Sequence, residues 1–179
     1  MLDDLIKQAQ QIPDYPLASW TPEFKGDMDL VVEANGTWIH QGQPIVKTKI
    51  MQLFSRLLQR QNSGDYWLMT PVEAFSITVE DLPFTIVSAD QTTVDTVAQW
   101  QFTSNCGDQI CLLSPNQLQV TLDELGQPQP QLLVRDGLWA RISRSVFFQL
   151  AMACDTVQTK TGPRAILVSA GVKYDFGAI

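Results

Sequence analysis

Charge is scarce in this 179-residue sequence: Lys, Arg, Asp and Glu make up 17% of it, against about 25% in ordinary globular domains. What charge there is runs acidic, with 12 Lys and Arg against 19 Asp and Glu and a net charge of −7. That sign excludes a general grip on nucleic acid or on an anionic membrane, because phosphate counterions are displaced only by positive charge. Histidine is scarcer still: His40 is alone, and the three cysteines, Cys106, Cys111 and Cys154, contain no CxxC pair. A tetrahedral zinc site needs more Cys and His than this in one place, so no metal is expected. The cysteines read as small buried apolar residues of a reducing compartment. No apolar run approaches the about 20 residues that span a bilayer. The opening MLDDLIKQAQQ lacks the basic and apolar regions of a secretory signal, so a cytoplasmic location is expected. Also missing are GxxxxGK[ST], GxGxxG, GxSxG and HExxH, and with them the best-marked phosphate-loop, dinucleotide, serine-hydrolase and metalloprotease chemistries.

What is present suffices for a core. The chain is 45% apolar and long enough for one large domain or two small ones. Leu2, Leu5, Ile6 and Ala9 fall at helical spacing over residues 2–12; Pro13 and Pro16 end that helix, and a connector runs to about Lys25. Residues 30–33 and 37–40 flank Asn35-Gly36, which predicts a hairpin closed by a type I′ turn. Ile50, Leu53, Phe54, Leu57 and Leu58 share one helical face, with Thr48 as N-cap and Asn62-Ser63-Gly64 as the stop. From Tyr66 to Leu113 come short β-rich runs, YWLM, AFSITVE, FTIVSA, VAQWQFT and QICLL. The polar LDELGQPQPQ reads as a surface loop or inter-domain connector. After it come a second strand–turn–strand, LLVRDGLWA, a helix with Val146, Phe147, Leu150 and Ala151 on one face, and a strand, AILVSA.

The end of the chain resembles its beginning. A slide of about 95 residues lays Gly137 over Gly42, Ala140 over Ile45, Ser143 over Thr48 and Arg144 over Lys49. Each copy then reads as hairpin turn, cationic pair, capped helix and strand, which is either an internal repeat or the convergence of two strand–helix units.

Few residues carry recognisable chemistry. His40, on a strand two residues after Trp38, is either a hydrogen-bonded half-buried imidazole or a ligand contact and general base. Glu73, Glu80 and Asp81 form a paired-carboxylate site or a solvated strand end. Lys47 and Lys49 stand at one helix start, Arg141 and Arg144 at the other. Cations oppose the helix dipole there, so they are explained by a shared anion or by ion pairs to Glu73, Glu80 or Asp81.

Over residues 44–84 the chain resembles a small bacterial family, domain of unknown function 1285 (DUF1285). The motifs are Trp38/His40/Gly42/Pro44/Ile45, Leu53-Phe54-Ser55, Tyr66/Leu68/Thr70/Pro71/Val72/Glu73 and Val79/Asp81/Pro83/Phe84, with weaker matches at residues 105–108 and in RDGLWARISR. The chain departs from the family at Ala74, where relatives carry a basic residue. The resemblance implies an α+β fold of two structurally similar halves, over residues 1–85 and 86–179, the C-terminal one superficially pleckstrin-homology-like. It implies further a pocket between the halves for a nucleotide-like molecule, and a part in signal transduction.

The leading reading is therefore a ligand-binding or signalling module that is not an enzyme and uses no cofactor. Its partner is an anionic, nucleotide-based small molecule. Lys47, Lys49, Arg141 and Arg144 would meet phosphate, Trp38 or Tyr66 would stack on a base, and Glu73 or Asp81 would accept hydrogen bonds from it, with His40 as a further contact. One alternative is a hydrolase-type enzyme on a phosphorylated or acyl substrate, with His40 or Glu73 as base. The other is a protein–protein adaptor using a patch around Trp100 or Trp139.

Overall fold

A computed structural model describes residues 16–178; the helix expected over residues 2–12 lies outside them. The chain divides into two compact units, Met1–Pro83 and Phe84–Ile179.

In the first unit a 3-10 turn at Leu17–Ser19 leads into β1 (Glu23–Val32), β2 (Trp38–His40), β3 (Gln43–Pro44), α1 (Thr48–Leu57), β4 (Leu58–Arg60), β5 (Tyr66–Met69) and β6 (Glu73–Val79). The strands form one sheet in the order β3-β2-β1-β6-β5-β4. Its central pair, β1 and β6, is parallel, and the other neighbours are antiparallel. Period-two alternation sets the faces: Met28, Leu30 and Val32 are buried while Asp27 and Asp29 are exposed. The helix lays Phe54 and Leu57 into that core, with the Phe54 ring centroid 6.5 Å from that of Trp38. It starts one residue earlier than expected, Lys47 holding the N-cap position in place of Thr48, and stops sooner. Leu58 turns extended and begins β4, where pairing with Leu68 buries it as another helical turn would have. Asn62-Ser63-Gly64 is accordingly the turn between β4 and β5.

The second unit runs β7 (Phe84–Val94), β8 (Val97–Ser104), β9 (Gln109–Cys111), β10 (Leu118–Leu122), β11 (Pro128–Arg135), β12 (Leu138–Ile142), α2 (Arg144–Met152), β13 (Asp155–Thr159), β14 (Gly162–Ser169) and β15 (Val172–Ala178). Its six-stranded sheet, β10-β11-β12-β7-β8-β9, repeats the first sheet's plan of two meanders joined through a parallel pair of first and last strands. A three-stranded sheet, β13-β14-β15, follows. Ser169 ties it to β8: its buried hydroxyl accepts from the Trp100 N–H at 2.8 Å and donates to the Leu112 carbonyl at 2.7 Å. The polar LDELGQPQPQ is the β10–β11 hairpin rather than a connector, because its residues pair Leu122 with Pro128 and Val120 with Pro130.

The hairpin at Asn35-Gly36 forms with the expected partners, Leu30 with His40 and Val32 with Trp38, but its turn is not type I′. Gly36 alone is left-handed (φ 87°), and Asn35 instead accepts the Thr37 N–H on its Oδ1 at 2.8 Å. Glu33 N–H closes the loop on Thr37 O, the pattern of a type I turn followed by a left-handed glycine. The same five-residue closure recurs from Gln61 to Asp65, Ser104 to Asp108 and Asp123 to Gln127, with Gly64, Gly107 and Gly126 in the fourth place.

Type I′ backbone occurs instead at Gln41-Gly42 (φ 50°, 72°) and Asp136-Gly137 (φ 40°, 75°), pairs 95 residues apart. Each leads through a short strand into a helix and then a three-strand meander. The duplication thus holds at the level of backbone conformation. The fold as a whole is richer in strand than an α+β reading implies: the two helices are the only α-helices among the described residues, and neither is long and apolar enough to cross a membrane.

Candidate functional site

The first unit gathers some of the expected residues and scatters others. Trp38 has no exposed surface, and its Nε1 is buried without a partner, so no face of it is open for stacking on a base. His40 donates from Nδ1 to the Asp29 carbonyl at 2.8 Å, which fixes the tautomer and leaves Nε2 as an acceptor. Tyr66, half-buried on β5, meets Arg60, whose guanidinium lies 6.0 Å from the ring centroid. Burial holds its hydroxyl pKa above the ordinary 10.0; Arg60 opposes the shift and the charge of Asp81 adds to it, so Tyr66 and Asp81 are brought together. Glu73 begins β6 opposite Glu23, and its carbonyl receives the N–H and hydroxyl of the buried Thr70. Ala74 beside it is buried. Glu80 closes the β1–β2 loop by accepting the Ala34 N–H at 2.9 Å, which makes it structural.

Lys47 and Lys49 are exposed at the start of α1. Neither makes an ion pair with any described residue, and no acidic residue stands in the helix's first turn. In the second unit Arg144 opens α2 in the same way. It is exposed and without an ion pair among the described residues, its guanidinium 5.6 Å from the Phe148 ring centroid. Arg141, on β12, is half-buried and donates to the Pro130 carbonyl at 3.4 Å. Neither helix has a side-chain N-cap: Lys47 offers no acceptor, and the Ser143 Oγ lies instead 3.3 Å from the Ser145 Oγ.

A larger feature of the second unit escaped the sequence reading. A groove of about 840 Å³ opens among β10, α2 and the β13–β15 sheet, walled by Val120, Leu122, Phe147, Ala151 and Phe176, with Arg164 and Asp175 on its polar side. Arg164 Nε donates to Asp175 Oδ2 at 2.6 Å. That bond, with the Gly177 N–H on the other carboxylate oxygen, holds the Asp175 pKa below the ordinary carboxylate value. None of the nine expected site residues lines this groove.

The chain matches the DUF1285 N-terminal domain over residues 15–82 and the DUF1285 C-terminal domain over residues 83–176. It belongs to the DUF1285 family. Among solved structures, this DUF1285 chain is similar to a DUF1285 family protein from Silicibacter pomeroyi DSS-3. The two share 30% identity over 98% of this chain and 95% of that one, with a TM-score of 0.83. A second DUF1285 family protein, from Shewanella baltica OS155, is 23% identical over 68% of this chain and 89% of that one, with a TM-score of 0.53, and shares the fold. No curated protein matches.

The arrangement in this DUF1285 protein limits its chemistry. Burial pushes the Cys106 thiol up to about 12 and the Cys154 thiol up to about 11, with nearby Asp108 and Asp155 adding to it, so neither supplies a thiolate at neutral pH. Among the described residues no three His, Cys, Asp or Glu gather in a metal-holding set. The groove was legible in principle. The Ala170-Gly171 turn, with both φ values positive, fixes a hairpin in which Arg164 and Asp175 come together, but the strand after that turn was not among those read from the sequence.

Proposed function

We propose that the protein is a non-catalytic, cytoplasmic ligand-binding module with a signalling role, and that its ligand is an anionic, nucleotide-like small molecule. Its phosphate groups would be contacted by Lys47 and Lys49 at the helix start of the first unit, or by Arg141 and Arg144 at that of the second. Tyr66 would offer the aromatic face, with Glu73, Asp81 and His40 as hydrogen-bonding contacts. The observation that carries this reading is the state of the two helix starts. Each presents uncapped amides and exposed cations, and Lys47, Lys49 and Arg144 have no ion pair among the described residues. Ion pairing to Glu73, Glu80 or Asp81 was the competing explanation for these cations. Without it, a helix dipole and a lysine repel each other unless an anion joins them. The pleckstrin-homology likeness of the second unit belongs to the same proposal; it is supported by an antiparallel meander followed by a helix that packs on it, Gln149 Nε2 donating to the Ala89 carbonyl at 2.7 Å.

The test is thermal stabilisation of the full chain by a panel of nucleotides and phosphorylated metabolites. A ligand at 100 times its Kd adds about 2.7 kcal/mol of stability, a shift of several degrees. A Lys49→Ala, Arg144→Ala double variant is expected to lose that shift while melting unliganded like the parent. Affinity unchanged in the double variant, or no shift across the panel, overturns the reading.

A further inference from the structure

The four asparagines of the chain, Asn35, Asn62, Asn105 and Asn116, are followed by Gly36, Ser63, Cys106 and Gln117. An asparagine side chain is open to attack by the backbone nitrogen of the next residue, and glycine, with no Cβ, obstructs that attack least. Asn35-Gly36 is therefore the pair most prone to deamidation in an unfolded chain. In the folded chain it sits in the β1–β2 turn, where each reacting group is already engaged. Gly36 is buried, and its N–H, which must lose its proton before the nitrogen can attack, donates to the Glu33 carbonyl at 2.8 Å. Asn35 Oδ1 accepts the Thr37 N–H at 2.8 Å, and Nδ2, the leaving nitrogen, donates to Glu33 Oε2 at 3.2 Å.

Core packing shuts those bonds in. Val32 and Trp38, the cross-strand pair on either side of the turn, have no exposed surface. The Trp38 ring lies 6.5 Å from that of Phe54, which is equally buried. The turn cannot be pulled apart without drawing Trp38 out of that core. Release of the Gly36 amide is thus tied to opening of the first unit rather than to a local fluctuation of the loop.

We propose that Asn35 is a deamidation site gated by the fold, protected while the first unit is closed and irreversibly modified once it opens. In the open chain the Gly36 nitrogen gives its proton to solvent base and attacks Asn35 Cγ. The Cγ–Nδ2 bond breaks, Nδ2 takes a proton from water and leaves as ammonia, and a succinimide ring closes. Water then adds to one or other ring carbonyl, giving aspartate or isoaspartate at position 35. The isoaspartyl chain carries one more backbone atom before Gly36, so the closure of Glu33 on Thr37 cannot re-form as it stands. A chain that has opened for long enough therefore stays marked. The inference stands apart from the anion-binding reading, since it uses none of that reading's residues.

The experiment incubates the full chain in mildly alkaline buffer, native and in denaturing urea, and follows all four asparagines by peptide mapping with mass spectrometry. In urea Asn35 is expected to deamidate well ahead of Asn62, Asn105 and Asn116. In native buffer, where an ordinary domain is open in fewer than about one chain in 10³, its rate is expected to fall at least about a hundredfold. Phe54→Leu loosens the packing on Trp38 without touching the turn. It is expected to raise the native rate about tenfold, by the same factor as the open fraction read from urea unfolding. Isoaspartyl chains returned to native buffer are expected to exchange their amides freely over residues 30–32 and 38–40. A native rate equal to that in urea overturns the inference, and so does a Phe54→Leu variant whose urea midpoint falls while its native rate stays. Native protection regained by the isoaspartyl chain overturns the irreversible mark. Where Phe54→Leu fails to fold, the parent in rising sub-denaturing urea decides, since its Asn35 rate must climb in step with the open fraction.

Discussion

Removing the Ser169 hydroxyl should cost far more than one atom suggests. Ser169 has no exposed surface, and its Oγ is the sole junction between the Trp100 N–H and the Leu112 carbonyl. Trp100 and Leu112 are themselves buried, and the ladder between them is already distorted, Leu112 N–H returning to Trp100 O at 2.9 Å. In Ser169→Ala both groups stay buried and lose their partner. An unsatisfied buried donor or acceptor costs about 1–3 kcal/mol; two, with some relaxation, give about 2–4 kcal/mol for the variant. The assay is urea unfolding followed by tryptophan fluorescence, comparing the midpoint of the transition that carries Trp100 at unchanged slope. Ser145→Ala, an exposed serine on α2, is the control and should stay within about 0.5 kcal/mol of the parent. If Ser169→Ala also stays within that margin, the hydroxyl is not what ties the β13–β15 sheet to β8. The groove's β15 wall would then need another anchor.

The remaining expectations concern backbone strain and titration. Asp95 and Thr96 turn the long β7–β8 hairpin with φ of 47° and 70°, a conformation that disfavours a β-branched residue by about 1–2 kcal/mol, part of which glycine gives back through unfolded-chain entropy. Thr96→Gly should therefore stabilise the chain by about 0.5–1 kcal/mol, read as a raised melting temperature; a lowered one refutes the strain. Cys106 is held at about 12 in the folded chain against an ordinary 9.0. Above pH 9 the unfolded chain releases a proton that the folded chain retains, so this contribution to stability is complete below pH 9 and is lost as pH rises toward 12. Urea midpoints should fall across that window, and less so in Cys106→Ala; at pH 8 the Cys106 thiol should react with a disulfide reagent only as fast as the chain opens.

Much of the first unit was legible because its signals are local. Alternation in β1, the apolar face of α1 and the glycine of each five-residue closure each depend on neighbours within a few residues. What failed locally failed for tertiary reasons. Leu58 has helical spacing but serves as a strand, since Leu68 offers it the same burial. LDELGQPQPQ looked like a connector because prolines discourage ladders, yet at non-hydrogen-bonded positions they break none. The β7–β8 hairpin hid its turn, because Asp95-Thr96 lacks the glycine or asparagine that marks a left-handed turn. Of the candidate site, the exposed cations at both helix starts were readable from scarcity and dipole alone. The burial of Trp38 was not, because a strand's alternation names a face without saying which face is inward. The groove depends on a pairing that does not form, that of β15 with β10, and what decides that pairing lies on other strands rather than in the residues that line the groove.

That missing pairing has its own origin in the sequence. In the first copy β3 is two residues long and ends at Pro44, which cannot donate to a further strand. The sheet can therefore grow only on the β1 side, and β6 pairs there. In the second copy the position 95 residues on is Trp139, and β12 extends over Leu138–Ile142. Its Ala140, Arg141 and Ile142 pair with Phe84, Thr85 and Ile86 of β7. The β7–β9 meander thus completes the six-stranded sheet from the far side, and β13–β15 is left to form a sheet of its own. An exchange of proline for a residue able to extend the strand is consistent with β12 pairing with β7 where β3 pairs with no further strand. Trp139→Pro should therefore damage the β7–β12 pairing of the second unit rather than the groove wall. Amide exchange would show this as lost protection at residues 84–86 and 140–142, with the β10–β11 ladder retained.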